Sequence, residues 1–462
     1  MRAINKNALK GLCIAVIGAS LVAVTVLTGC KGETTTVTVT TTSTFTIIIQ
    51  PTDSDVIPSI STDELSEQIG NSDWVIVDLR SKASYNGWKL FGEERGGHIK
   101  GAVDFPISWT TNVTDLDLKQ NLENQGITPD KNVVVYHVNA SDGQAVAYKF
   151  KSLGYSNLYI YEDIKDWAAD ETLPMESLAH YEKLISVEWV NELIQGNNPA
   201  TYNGNKYIIL EVSWGPPEGY NEGHIPGSIH LDTDEIESLP LWNFLSDDVL
   251  EEKYKKLGID KDTLVITYGK SSSAAARVLI GLMRAGVEDV RLLDGGWNAW
   301  VDGGFTIEIE AHEPVAVADF GTTTPAHPEY VIDTEQLKES LGQSGFVLTS
   351  IRRWEEFIGE ISGYSYIEPK SEIPGAAWGH NTRDFRDQDG KMLNYHQIAA
   401  MWEEWGITPD KTVSFYCGTG WRASLAWFYA YLMGWEDISI YDGGWFEWSM
   451  DPANPVQIGD PR

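Results

Sequence analysis

The segment Cys417-Gly418-Thr419-Gly420-Trp421-Arg422 holds the residues of this chain best placed for chemistry. A β-rich apolar run over 412–416 precedes it, and an apolar helical pattern over 423–433 follows. The Cys417 thiol therefore belongs at the C-terminal edge of a strand, where open α/β sheets bind ligands. It also belongs at a helix N-terminus, where unpaired N–H groups and the helix dipole favour an anion. Gly418 and Gly420 let the backbone curl so that successive N–H groups point inward as a nest. Arg422 can add a fixed positive charge, and Trp421 can shape a pocket beside the loop. All three effects favour an anionic sulfur, the nucleophilic form of cysteine.

The N-terminus makes this thiol stand out further. The chain has three cysteines: Cys13, Cys30 and Cys417. Arg2, Lys6 and Lys10 precede an apolar stretch over 12–27, which ends in Leu27-Thr28-Gly29-Cys30. This resembles a bacterial lipoprotein signal and its lipobox. The resemblance implies that residues 1–29 are removed and that Cys30 carries lipid, attaching an exported protein to a membrane of the cell envelope. Residues 30–54 then form the lipidated cysteine and a Thr-rich extended tether. Cys417 would be the one free thiol of the mature chain, a pattern that marks a cysteine as reactive.

The elements that must position Cys417 recur three times. Gly126-Ile-Thr-Pro-Asp-Lys-Asn-Val-Val-Val-Tyr-His137 aligns without gaps with Gly258-Ile-Asp-Lys-Asp-Thr-Leu-Val-Ile-Thr-Tyr-Gly269 and Gly406-Ile-Thr-Pro-Asp-Lys-Thr-Val-Ser-Phe-Tyr-Cys417. Upstream of each lies a helix start, marked by Ser61 with Glu64, by Ser186, and by Asp333 with Gln336. A strand follows, over 75–79, 207–212 and 346–351. Turns then read Gly97-His98-Ile99-Lys100-Gly101-Ala102, Gly223-His224-Ile225-Pro226-Gly227-Ser228 and a weaker Ser371-Glu372-Ile373-Pro374-Gly375-Ala376. Asp294-Gly-Gly-Trp297 and Asp442-Gly-Gly-Trp445 close the second and third copies. Strands alternating with helices predict parallel sheets covered on both faces. The expected domains are 55–178, 179–312 and 328–462, each a doubly wound, mainly parallel α/β fold.

These motifs, in this order, resemble the rhodanese (thiosulfate/mercaptopyruvate sulfurtransferase) superfamily over nearly all of residues 57–460. The resemblance implies a sulfurtransferase in which Cys417 carries a persulfide. The donor is a small sulfur-containing anion such as thiosulfate, or polysulfide; the acceptor is a thiol or cyanide. The Gly418–Arg422 loop would hold the sulfur anion. Arg352 and Arg353 can add positive potential near a substrate pocket, and one of them is expected in the ion pair typical of the family motif. Ser350 replaces the acid of that pair. Glu356 stands where thiosulfate-using relatives place an arginine, and Thr419 where they often place a lysine, so polysulfide or a thiol-bound sulfane sulfur rivals thiosulfate. The alternative to an enzyme is a sulfur-carrier or binding module serving an envelope redox partner. Phosphatase relatives of the fold space Cys and Arg by five residues, against four here.

The other copies lack the thiol. His137 and Gly269 occupy its position, so domains one and two are expected to be inactive. His137 reads as a satisfied loop histidine, and Lys270 with Ser271–Ser273 as a weak anion site at a helix start. Asp387-Gln-Asp389-Gly390 lacks the bidentate glutamate of a calcium loop and reads as a turn. No feature implies a metal or an organic cofactor. With 67 acidic against 34 basic residues and a net charge of -33, the surface does not attract nucleic acid. An anionic substrate would need locally clustered cations.

Overall fold

The computed structural model describes residues 56–111 and 113–462. The expected signal segment, Cys30 and the tether lie outside them. Among the described residues, no helix is long and apolar enough to cross a membrane. The chain divides into two compact units. One comprises residues up to Arg80 together with Ile99–Leu173; the other comprises Ser81–His98 and Pro174–Arg462.

The first unit holds a four-stranded parallel sheet. Its order is Val103–Asp104, Trp74–Asp78, Asn132–Tyr136, Leu158–Tyr161. Val133, Val134, Val135 and Tyr136 are all fully buried. Burial of successive residues is what a strand covered on both faces requires, and it explains the continuous apolar run. The capping box of Ser61 and Glu64 forms as the sequence predicts.

The second unit contains two five-stranded parallel sheets of the same topology. One runs Leu184–Ile185, Asp289–Leu293, Leu264–Tyr268, Tyr207–Ser213, Ile229–Asp232. The other runs Val331–Ile332, Ile438–Tyr441, Thr412–Tyr416, Phe346–Ser350, Ala377–Trp378. In each, the strand of the repeated block is central. The helix Ser272–Ala285 follows one central strand, and Trp421–Leu432 follows the other. These two helices pack on each other. Ala274, Ala275 and Val278 share a buried cluster with Ala423, Ala426 and Ala430. Small side chains allow the close approach. The loops that open the two helices consequently border the same cavity.

Candidate active site

Cys417 follows Tyr416 at the C-terminal end of the central strand and is 1% exposed. Its Sγ accepts the Gly420 N–H at 3.2 Å, and its carbonyl accepts the Trp445 N–H at 2.8 Å. Gly420 has φ +105, and a Cβ there would lie 2.8 Å from the Arg277 guanidinium. Glycine is therefore required on both conformational and steric grounds. A Cβ on Gly418 would meet the Tyr364 ring at 2.3 Å. The expected nest is only partly formed around the sulfur, because the Gly418 N–H is donated to Tyr364 Oη at 3.2 Å.

Arg422 also departs from expectation. Its guanidinium donates to both Glu356 oxygens, at 2.8 and 2.9 Å, and to Tyr364 Oη at 2.7 Å. Glu356 is fully buried and held below the usual carboxylate range by Arg422, against the opposing effect of burial. The positive charge beside Cys417 is thus largely neutralised. Tyr364 Oη accepts two hydrogen bonds, so its own proton is left for a third partner. Burial raises the Tyr364 phenol far above its usual range and keeps it protonated.

The motif arginine finds an acid by another route. Arg352 is fully buried and bonds Ser371 O at 2.8 Å and Glu372 Oε2 at 3.3 Å. Ser350 Oγ donates to the same Glu372 oxygen at 2.7 Å. In the first unit the corresponding pair is local: Arg80 Nη2 meets Asp78 Oδ2 at 2.7 Å, and Tyr136 Oη donates to that oxygen. The serine at the acid position and the glutamate at the turn's histidine position are one compensated exchange. Neither Arg352 nor Glu356 is on the pocket wall; Arg353 is.

A cavity of about 680 Å³ adjoins the loop. Thr419, Trp421 and Arg422 line it from the Cys417 loop, with Tyr364 and Tyr366 beside them. Trp214, Trp242, Lys270, Ser271 and Ser273 contribute from the sequence-second copy. Five lining side chains are cationic (Lys270, Arg353, Arg383, Arg386 and Arg422) and none is acidic. In a chain of net charge -33, this supplies the local cations that an anionic substrate needs. Trp421 is fixed by donating Nε1 to Glu237 at 2.9 and 3.1 Å. Glu237 accepts from Arg277 Nε at 2.5 Å, and Arg277 Nη2 donates to Asp442 of the Asp-Gly-Gly-Trp segment at 2.5 Å. Burial pushes Glu237 up to about 7, against the pull of Arg277. This relay, like Tyr364 and Tyr366, was not visible in the sequence, because its members are far apart along the chain.

The cysteine positions of the other copies are filled differently. His137 Nδ1 accepts the Asn139 N–H at 3.2 Å and lies 3.5 Å from Asp142; burial lowers its basicity. Gly269 leaves no space for a side chain: a Cβ there would stand 2.3 Å from Val212 O. At 387–391, Asp387 Oδ1 accepts the N–H groups of Asp389 and Lys391 at 2.9 Å each, and the other oxygen pairs with Lys82 at 3.0 Å. That is a turn, as its sequence indicates.

Three parallel α/β repeats, one ending its central strand in a wrapped cysteine, define a class. The chain belongs to the rhodanese-like domain family, a family of sulfurtransferases, with matches at residues 61–170, 186–302 and 333–451. It is 41% identical over 408 residues to thiosulfate sulfurtransferase YnjE of Escherichia coli, covering 87% of this chain and 92% of that protein. Human 3-mercaptopyruvate sulfurtransferase is 30% identical over 289 residues, covering 60% of this chain and 94% of that enzyme. Among solved structures, the anaerobic ergothioneine biosynthesis enzyme of Chlorobium limicola with trimethyl histidine superposes with a TM-score of 0.85 at 37% identity. The match covers 88% of this chain and all of that one. Related structures of the enzyme EanB carry a cysteine persulfide, or variants of a threonine two positions after that cysteine. Cys417 and Thr419 have the same spacing.

Proposed function

We propose that the protein moves sulfane sulfur through a persulfide on Cys417. The observation that carries this reading is the buried Sγ at the central strand end, receiving a backbone N–H beside a cation-lined cavity. In the first step the Cys417 thiolate attacks the outer sulfur of the donor. A new S–S bond forms, the donor's S–S bond breaks, and its electron pair leaves on sulfite or a shortened polysulfide. In the second step a nucleophilic acceptor, a thiol or cyanide, takes the terminal sulfur and Cys417 departs as thiolate. Splitting the transfer in two is the advantage of covalent catalysis. The Gly420 N–H stabilises the sulfur anion at each stage, and the wall cations draw in the donor.

The test is intact mass after incubation with thiosulfate or with polysulfide, beside Cys417→Ser. Gain of one sulfur atom, reversed by cyanide and absent in the variant, supports the reading. No gain with either donor overturns it. A persulfide that forms but never turns over would make the protein a carrier.

One observation favours a second acceptor. Trp214, Trp242, Tyr364, Tyr366 and Trp421 line the cavity, and aromatic faces attract quaternary ammonium groups. A trimethylated histidine, the substrate of the Chlorobium limicola enzyme, is therefore proposed as an alternative sulfur acceptor. Incubating persulfidated protein with it and seeking a product one sulfur heavier decides the matter. For location, the proposal is removal of residues 1–29 and lipidation at Cys30. Fatty-acid labelling lost in Cys30→Ser would support it, and labelling unchanged in that variant would refute it.

A further inference from the structure

The sulfur cavity has a second pole, built by the copy that lost its cysteine. Immediately after Gly269, Lys270 projects onto the cavity wall, followed by Ser271 and Ser273. Ser271 caps the 14-residue helix Ser272–Ala285 by accepting the Ala274 N–H at 3.4 Å. Ser273 is 7% exposed and lines the cavity, and its hydroxyl has no hydrogen-bond partner among the described residues. Lys270 makes no ion pair among the described residues. Its Nζ lies over Gly219, 3.4 Å from where a Cβ would stand. The unpartnered hydroxyl of a largely buried serine, a free ammonium and a helix N-terminus thus share one wall that carries no carboxylate. That donor set suits a carboxylate.

We propose that the degenerate loop Lys270–Ser273 is a substrate subsite that holds the carboxylate of a small organic sulfur donor or acceptor. The substrate's reacting atom then faces the Cys417 loop across the cavity. A volume of about 680 Å³ falls within the ~300–1,000 Å³ usual for organic ligands and is far more than inorganic thiosulfate fills. Loss of the thiol in this copy is thereby linked to gain of a binding function. The reaction at the far pole rests on Cys417 as sulfur carrier; the binding at this pole does not.

The test uses the full chain with Cys417→Ser to remove chemistry, and calorimetry with 3-mercaptopropionate against its methyl ester. The acid should bind about tenfold more tightly than the ester, the gain expected from a charge-assisted contact. Lys270→Gln and Ser273→Ala should each erase most of that preference. In the Cys417 protein, Lys270→Gln should raise KM for the carboxylate substrate about tenfold, well beyond any rise in KM for thiosulfate. No preference for the acid, or a preference that survives Lys270→Gln, overturns the proposal. So does an equal loss with thiosulfate, which would make Lys270 a general electrostatic residue. Failure of sulfur loading on Cys417 alone would sink the proposed function and leave the calorimetric result standing.

Discussion

Replacing Tyr364 by Phe removes one oxygen from the centre of the site. That oxygen accepts from Gly418 N at 3.2 Å and from Arg422 Nη2 at 2.7 Å. Both lone pairs are engaged, so the phenolic proton points elsewhere, and Cys417 is within electrostatic reach of the ring hydroxyl. The charge on Cys417 changes most when the persulfide surrenders its sulfur and thiolate departs. A fixed donor acts at that moment, and losing one such donor typically slows a reaction by about 10²–10³. At 1.36 kcal/mol per tenfold, that is about 2.7–4 kcal/mol of barrier. Loading starts from thiolate, which a hydrogen bond from the phenol would stabilise as well, so loading should slow little or accelerate. Folding stability should fall as well, since two donors lose an acceptor at about 1–3 kcal/mol each when no water replaces it. The adjoining cavity can supply water, so the lower end is expected. The assay preloads the persulfide, mixes it with cyanide in a stopped-flow instrument and follows thiol release; intact mass follows loading separately. Transfer and loading that both match wild type within twofold would refute the assignment. Equal slowing of both would mean that Tyr364 only shapes the loop.

Three further outcomes are expected. Burial holds the Glu237 carboxyl at about 7, above its unfolded value of 4.5, so the folded state binds the proton more tightly. Its contribution to stability is full below about pH 4.5 and lost as pH rises through about 7; thermal unfolding of Glu237→Gln should lack that component. Gly269→Cys should not create a second sulfur acceptor, and it should cost about 1–3 kcal/mol of stability through overpacking against Val212 O, measured by intact mass and thermal unfolding. Arg383→Ala combined with Arg386→Ala should raise KM for an anionic donor about tenfold and flatten its dependence on salt, because two exposed cations leave the cavity wall; steady-state kinetics across ionic strengths would show it.

The repeat carried most of the fold. Three gapless blocks ending in Tyr136-His137, Tyr268-Gly269 and Tyr416-Cys417 each form a central strand, because consecutive apolar residues need cover on both faces. The helix starts at Ser61, Ser186 and Asp333 were legible for the same local reason: their side chains cap nearby N–H groups. What escaped was long-range. Arg422 looked like an unopposed cation until Glu356, 66 residues away, was found to hold it bidentately. Glu356 itself read as lost positive charge in a pocket, yet it is buried behind the wall. Glu372 was legible in principle, since an acid at a histidine position answers a serine at an acid position. Tyr364 and Tyr366 lie in an irregular segment, and Glu237 in a two-residue strand, Glu237–Ser238, too short to mark a period.

The distribution of charge bears on the donor. Beside the sulfur, Arg422 is neutralised by Glu356, and Thr419 stands where related enzymes often carry lysine. Further along the wall, Lys270, Arg353, Arg383 and Arg386 carry charge toward the cavity. An anion whose charge is adjacent to its reacting sulfur, such as thiosulfate, gains least from this arrangement, since Coulomb attraction falls with distance. A substrate whose charge lies several bonds from the reacting atom gains most. The same reasoning orders the expected donors and acceptors: extended polysulfides and organic carboxylates ahead of thiosulfate. Direct comparison of kcat/KM values for the three would reverse that order only if Arg422 parts from Glu356 during turnover.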